Sequence, residues 1–279
     1  MKFFDRLSLG WTLGIRSLGL IKDHPKLLLF PLLSGLSMIL ILLSFGGAFL
    51  GLTGFDLEVM KAIFARMEEA GDLVFWGITF VFYLVTYFIV VFFNSALVYN
   101  ARIIFQDGQP SIREGLAFSV SRIPQILAWA GLAATIGLLL QAIEDKLGGL
   151  VSGILGFAWS LATYFVVPAL VAEDISPVEA LKRSSRTMKD HWGESIGVGF
   201  SLGIFVLIGI VAAITLGFLF GMAFHPVAGI MAGILIILLT IVVNSAARQV
   251  FLTAVYEHTT GKTPKEFDAD VLDEAFIVK

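Results

Sequence analysis

The chain has 279 residues, 57% of them apolar and only 15% charged, with a mean hydropathy of +0.90 and a formal charge of −3. Soluble domains run at roughly 45–50% apolar and about 25% charged, so this composition excludes an ordinary soluble protein and points to the membrane. The absence of cysteine excludes disulfides, thiolate nucleophiles and Cys-ligated metal sites, and the near-neutral total gives no footing for a nucleic-acid partner.

Taken in order, residues 1–26 read as an amphipathic helix. Phe4, Leu7, Trp11, Ile15 and Leu18 share one face, with Lys2, Arg6 and Arg16 elsewhere on the turn. The first apolar run, about 27–52, is too long for a signal h-region and no small-residue cleavage site closes it, so it is expected to stay as a span. An outer loop follows. Its stripe of Leu57, Met60, Phe64 and Met67, with Asp56, Glu58, Glu68, Glu69 and Asp72 outweighing Lys61 and Arg66, predicts a short acidic helix with a solvated face rather than a cation site.

Five further runs can cross a bilayer, at about 73–99, 123–143, 150–172, 196–224 and 227–256, since a hydrocarbon core needs roughly 20 apolar residues as helix. None carries Asp, Glu, Lys or Arg near its centre. Three helix starts punctuate them. Ser176-Pro-Val-Glu179 is a capping box with Pro at the first helical position, Thr263-Pro-Lys-Glu266 has the same construction, and Ser111-Ile-Arg-Glu114 has the Pro one place earlier, at Pro110. Each leads an amphipathic stretch: Ile112, Leu116, Val120 and Ile123; Val178, Leu181, Met188 and Trp192; and, more weakly, Phe267, Val271, Ala275 and Val278. Such helices lie in the membrane interface with Lys and Arg near anionic headgroups, or else pack on the spans.

Sixteen Lys and Arg fall on one side of these spans and three on the other, which places both termini, including the 257–279 tail, in the cytoplasm of a cell (inner) membrane protein. The fold class is therefore all-α and polytopic, residues 1–279 forming a single membrane domain. Short echoes divide it into three units. Asn94-Ser-Ala96 near the end of span two matches Asn244-Ser-Ala246 near the end of span six, with Val167-Pro-Ala169 in the corresponding place in span four. Each unit is an interfacial helix followed by a two-span hairpin, and because each hairpin crosses twice, the units are parallel rather than inverted.

Candidate functional residues follow from this register. Asn94, Pro168 and Asn244 form an expected intramembrane polar layer that either lines a solute path or knits helices together, the latter being the favoured reading. Arg102, Glu173, Arg248 and Glu257 all fall just past the inner ends of spans and are expected to form ion pairs there. Glycine pairs four apart, such as Gly47 and Gly51, Gly149 and Gly153, Gly199 and Gly203, Gly217 and Gly221, and Gly229 and Gly233, allow close helix approach within or between chains. His24, His191, His225 and His258 are scattered over span ends, and no nucleophile elbow, zinc-protease or phosphate-loop motif is present. We therefore expect no enzyme, no cofactor and no metal.

The motifs Lys26-Leu-Leu-Leu-Phe-Pro-Leu-Leu-Ser-Gly35, Phe92-Phe-Asn-Ser-Ala-Leu97, Ala158-Trp-Ser-Leu-Ala-Thr-Tyr-Phe-Val-Val-Pro168 and Glu179-Ala-Leu-Lys-Arg-Ser184 with Trp192-Gly193 resemble a widespread prokaryotic six-span family catalogued only as a domain of unknown function. The Ala-Leu-Lys-Arg-Ser segment is also similar to that of a membrane domain attached to some glycerophosphodiester phosphodiesterases, and the first motif is similar to sulfate-permease-like proteins. The resemblance implies a multi-span membrane protein and supplies no activity. The leading expectation is a non-enzymatic, self-associating scaffold or channel-like assembly, a homo-oligomer whose other partners are the bilayer and anionic headgroups at the cytoplasmic face. A transporter or permease for a small or lipid-like solute is the alternative, and a lipid-modifying enzyme comes third.

Overall fold

A computed structural model describes residues 3–54, 56–62 and 73–267, with the side chains of residues 1–10, 52, 73–75 and 190–201 outside the description. Among the described residues the protein is helical throughout. Helix α1 spans Phe3–Asp23, a 3-10 turn covers Pro25–Leu28, and α2 spans Leu29–Thr53; α3 covers Leu73–Ile104 and α4 Ile112–Ser121. Then come α5 (Ile123–Leu147), α6 (Gly149–Ala162), α7 (Val166–Glu173), α8 (Pro177–Ala223) and α9 (Pro226–Thr259). Six segments are long and apolar enough to cross a membrane: Pro25–Gly51, Trp76–Ile104, Ile123–Leu147, Gly149–Glu173, Leu202–Ala223 and Pro226–Thr259.

Helix ends follow local chemistry. The Ser176 hydroxyl accepts from the Glu179 amide while the Glu179 carboxylate accepts from the Ser176 amide, a complete capping box that opens α8. At Ser111 only half of the arrangement forms. Its hydroxyl accepts from the Glu114 amide, but its own amide donates to Asn100 Oδ1 at 2.6 Å rather than to Glu114. Thr263 and Glu266 open no helix among the described residues: the Thr263 hydroxyl lies 3.0 Å from His258 Nδ1, and residues 262–267 run as coil and turn. The Phe267 side chain explains the fold-back, since it is buried and meets Phe105 edge-on at 5.8 Å. Val271, Ala275 and Val278 lie outside the described residues.

One expectation about the interfacial helices is corrected. The stretch from Ser176 does not end before span five; α8 is one helix of 47 residues, about 70 Å long at 1.5 Å per residue. No proline or stop signal interrupts it between Pro177 and Ala223, so the helical hydrogen bonds simply continue. In α1 the buried face is Leu13, Gly14, Ser17, Leu20 and Ile21, set against α8 and α9, whereas Trp11 and Ile15 of the anticipated stripe are exposed. The smaller face wins because Gly14 and Ser17 let the backbones approach closely. In α4, Gly115 and Ser119 are buried and Ile112 and Leu116 partly buried against the core, while Val120, and Ile123 at the start of α5, are exposed.

In the loop between the first two spans, residues 57–62 are helical, started by Asp56, whose carboxylate accepts from the amides of Glu58 and Val59. Phe64, Met67, Glu68, Glu69 and Asp72 lie outside the described residues. Close packing is concentrated at the other, basic end. There Phe30, Leu97, Phe165, Phe251 and Tyr256 are almost wholly buried among α1, α3, α7 and α9. The remaining lengths of the spans are exposed and apolar, as at Leu43, Leu139, Ile154, Phe218 and Leu238, which is the surface that hydrocarbon rather than water satisfies.

The ends of α8 and α9 next to their connection are closed by glycine. A Cβ on Gly229 would lie 2.3 Å from the Gly217 carbonyl oxygen and 2.7 Å from Gly221 Cα. The pairs Gly217/Gly221 and Gly229/Gly233 therefore serve contact within the chain. By contrast, a Cβ on Gly47, Gly51, Gly153 or Gly203 would meet nothing within 4 Å.

Candidate functional site: a crevice at the edge of the spans

The fourth span is broken, and the break makes the site. A helix running through Pro168 would drive the proline ring into the carbonyl of Tyr164 four residues back. Helix α6 instead stops at Ala162 and α7 restarts at Val166, which puts Pro168 in a first turn where its missing amide costs nothing. The intervening Thr163, Tyr164 and Phe165 are pinned by two bonds: the Phe165 amide donates to Ser184 Oγ of α8 at 2.9 Å, and the Val166 amide to the Thr163 carbonyl at 3.1 Å.

Tyr164 in that break lines a two-lobed crevice together with α9. Ser160, Tyr164, Asn244 and Arg248 line both lobes. One lobe, of about 460 Å³, runs toward α3 and is polar, adding Asn94, Thr163, Ser245 and Gln249. The other, of about 360 Å³, runs toward α8 and is walled mainly by Phe157, Leu161, Met188, Leu202 and Val206. Phe157, Ser160, Gly203 and Arg248 are exposed around the mouth, while Asn94, Asn244 and Gln249 are partly buried behind it.

Two polar atoms here lack the partners that burial demands. Asn244 Oδ1 and Gln249 Oε1 are buried without a hydrogen bond, a state that costs about 1–3 kcal/mol per group unless something else supplies a donor. Arg248 pairs with no carboxylate among the described residues. Its guanidinium lies over the Tyr164 ring, 5.1 Å from the centroid, a cation–π contact, and it also hydrogen-bonds the Tyr164 side chain.

The depth of the crevice follows from α9. Arg248 lies 22 residues beyond Pro226, the first residue of that helix, about 33 Å of helix, which spans a hydrocarbon core of about 30 Å. It therefore stands at the basic edge of the apolar part of α9, where hydrocarbon gives way to headgroups.

Below this level the charged residues form a separate layer. Arg102 Nε donates to Glu257 Oε1 at 2.5 Å and Arg102 Nη1 to the Val171 carbonyl at 3.2 Å. Glu173 accepts from Arg183 Nη2 at 2.7 Å and from the Tyr256 hydroxyl. The Glu173 carboxylate raises the guanidinium pKa of Arg183 further, and the Ser176 hydroxyl and amide hold the Glu179 carboxyl below its ordinary range. Arg122 reaches Asp174, and Lys265 reaches Asp107, which raises the ammonium pKa.

The expected residues are thus sorted differently from their order in the chain. Asn94 and Asn244 share one lobe, but Val167 and Tyr164 line it and Pro168 does not, being buried in α7. Arg102 meets Glu257 and Glu173 meets Arg183, whereas Arg248 leaves that layer for the crevice. Sequence reasoning missed Tyr164 and Gln249. Their signals were a tyrosine just before a span-breaking proline and a glutamine beside an arginine. It also missed Asn100, a buried amide that donates to the Ala96 carbonyl and accepts from Ser111, anchoring α4 on α3.

Residues 73–265 match the model of a family described as a family of unknown function (DUF6159). Three of the four motifs singled out above, from Phe92 to Trp192, fall within the matched range. No curated protein and no solved structure matches the chain.

Proposed function

The chain belongs to this family of unknown function, and we propose that it is a non-enzymatic carrier or permease for a lipid-like solute, which enters the crevice sideways from the inner leaflet. The observation that carries this reading is the unsatisfied polar lining of Asn244, Gln249 and Arg248 at the edge of an apolar segment, beside a lobe walled by Phe157, Leu202 and Val206. Residues that only knit helices would pair with one another. These face a cavity instead, and an amphiphile fits its two lobes, polar head in one and chain origin in the other. The lining offers an arginine, amides and hydroxyls, a set suited to holding a solute. In this reading the basic end lies in the cytoplasm with both termini, the six spans form three like-oriented hairpins, and the exposed Trp11 and Ile15 of α1 sit at headgroup depth.

The test uses the full chain in nanodiscs and proteoliposomes. A diacyl lipid with a photoactivatable group near the top of its chain is expected to label Phe157 and Val206 and to move between leaflets faster than in protein-free vesicles. Labelling confined to belt residues such as Leu43 and Leu238, with unchanged movement, overturns the reading.

Self-association is the second reading, favoured by a specific observation. The glycine faces at Gly47, Gly51 and Gly153 have open space where a neighbouring helix would sit. Crosslinking in native membranes tests it: a Gly153→Cys chain that yields a disulfide-linked dimer supports association, and a strictly monomeric product opposes it.

A further inference from the structure

Resting on the crevice as a lipid-solute site, we infer that its ligand is an anionic lipid whose phosphate-bearing head also carries hydroxyl groups, with Arg248 reading the phosphate and Asn244 and Gln249 reading the hydroxyls. The two halves come from different groups. Arg248 is a fixed cation with no carboxylate partner among the described residues, held against Tyr164 with its guanidinium carbon 5.1 Å from the ring centroid and a hydrogen bond to the tyrosine side chain. What remains available is the part of its N–H edge not bonded to Tyr164, which matches phosphate oxygens. An anion answers that edge.

The amides ask for the opposite. Asn244 Oδ1 and Gln249 Oε1 are buried acceptors without donors, and a carboxylate or bare phosphate would present them only with more acceptors. A ligand that satisfies the lobe must bring O–H or N–H groups together with its charge. Amine donors would set a second cation near Arg248, so hydroxyls fit better. The polar lobe, about 460 Å³, accommodates a phosphate and a short polyol, and the apolar lobe beyond Ser160 receives the start of the chains. Arg248 stands where the apolar part of α9 ends, which is the depth of lipid headgroups in a bilayer.

Retention of lipid by the full chain, purified from nanodiscs of stated composition and read by native mass spectrometry, tests the assignment. Phosphatidylglycerol, carrying phosphate and hydroxyls, is expected to outcompete phosphatidylcholine by about tenfold, since a charge-assisted hydrogen bond contributes about 1.5–3 kcal/mol and 1.4 kcal/mol is tenfold. Phosphatidic acid, an anion without the polyol, is expected between them. Arg248→Gln is expected to erase the preference for anions, and Asn244→Leu to erase only the preference for phosphatidylglycerol over phosphatidic acid. Millimolar soluble glycerol phosphate is expected not to displace the lipid; displacement would mean that the crevice binds the free head and would overturn the lipid assignment. Equal retention of phosphatidylglycerol and phosphatidylcholine by the unaltered protein, a result needing no variant to fold, overturns the inference. If the photoactivatable lipid still labels Phe157 in that case, the site survives and only the headgroup chemistry is wrong; if it does not, the site itself falls.

Discussion

Arg102 and Glu257 come from helices 155 residues apart in sequence and meet at 2.5 Å, Nε to Oε1, with side-chain exposures of 18% and 6%. The pair joins α3 to α9, and through the Arg102 bond to the Val171 carbonyl it also holds α7. Glu257 is far more buried than a surface carboxylate, so removing one partner leaves a charge without compensation. Arg102→Met is expected to destabilise the fold by about 3–5 kcal/mol, and the Arg102→Met, Glu257→Leu double variant to recover much of the loss. Denaturant unfolding of the detergent-solubilised protein measures this; equal losses in the single and double variants would show that the pair is not the cause.

The seat of α4 on α3 is set by Gly115 and Asn100. A Cβ on Gly115 would lie 2.2 Å from Asn100 Nδ2 and 2.9 Å from the Ala96 carbonyl oxygen. Gly115→Ala is expected to cost about 1–3 kcal/mol by overpacking. Combined with Asn100→Ala it should cost less than the sum of the two single changes, because shortening the amide removes one of the two clashes. Additive losses in a thermal unfolding series would refute the contact.

Close approach of α8 and α9 next to their connection gives a contrast between glycines. Gly229→Ala forces backbone against backbone and is expected to destabilise by about 1–3 kcal/mol. Gly47→Ala meets nothing within 4 Å and is expected to be neutral or to stabilise by about 0.5–1 kcal/mol through helix propensity alone. Unfolding midpoints measured in one detergent decide between them. A large loss at Gly47 would instead mark its face as a partner contact.

The cap of α8 carries a pH signature. Bonds from the Ser176 hydroxyl and amide hold the Glu179 carboxyl below its ordinary pKa. A depressed carboxyl contributes stability that is present above the ordinary carboxylate range and is lost as pH falls through the lowered value. In Ser176→Ala the Glu179 titration, followed by carboxyl-carbon NMR, is expected to move up toward the ordinary range, and an unmoved midpoint would remove Ser176 as the cause.

Much of the fold was legible because the signals are local. Runs of about 20 apolar residues marked the spans, and Ser176 with Glu179 marked the start of α8. The end of that supposed interfacial helix was not legible, because helical hydrogen bonds run on wherever nothing stops them, and nothing between Trp192 and Leu202 does. Which face of α1 packs was not legible, because Trp11 and Ile15 are as apolar as Leu13 and Leu20, and hydropathy cannot tell a packed stripe from an exposed one.

The candidate site divides along the same line. Asn94 and Asn244 stood out as amides within apolar runs, and Arg102, Glu173, Arg248 and Glu257 as charges at a shared depth. Their partners could not be read, since Arg102 and Glu257 lie 155 positions apart and only the packing of α3 on α9 brings them together. Arg248 has the same sequence neighbourhood as the paired charges and a different fate, turned onto Tyr164 by a helix break set by Pro168.

The order of residues by itself determined that this is a helical protein with six membrane-crossing segments and one basic side, because length, hydropathy and capping act within a single segment. Only the tertiary structure decided which polar groups satisfy each other and which are left facing a cavity. That outcome depends on distances between helices remote in the chain, and no local pattern encodes them.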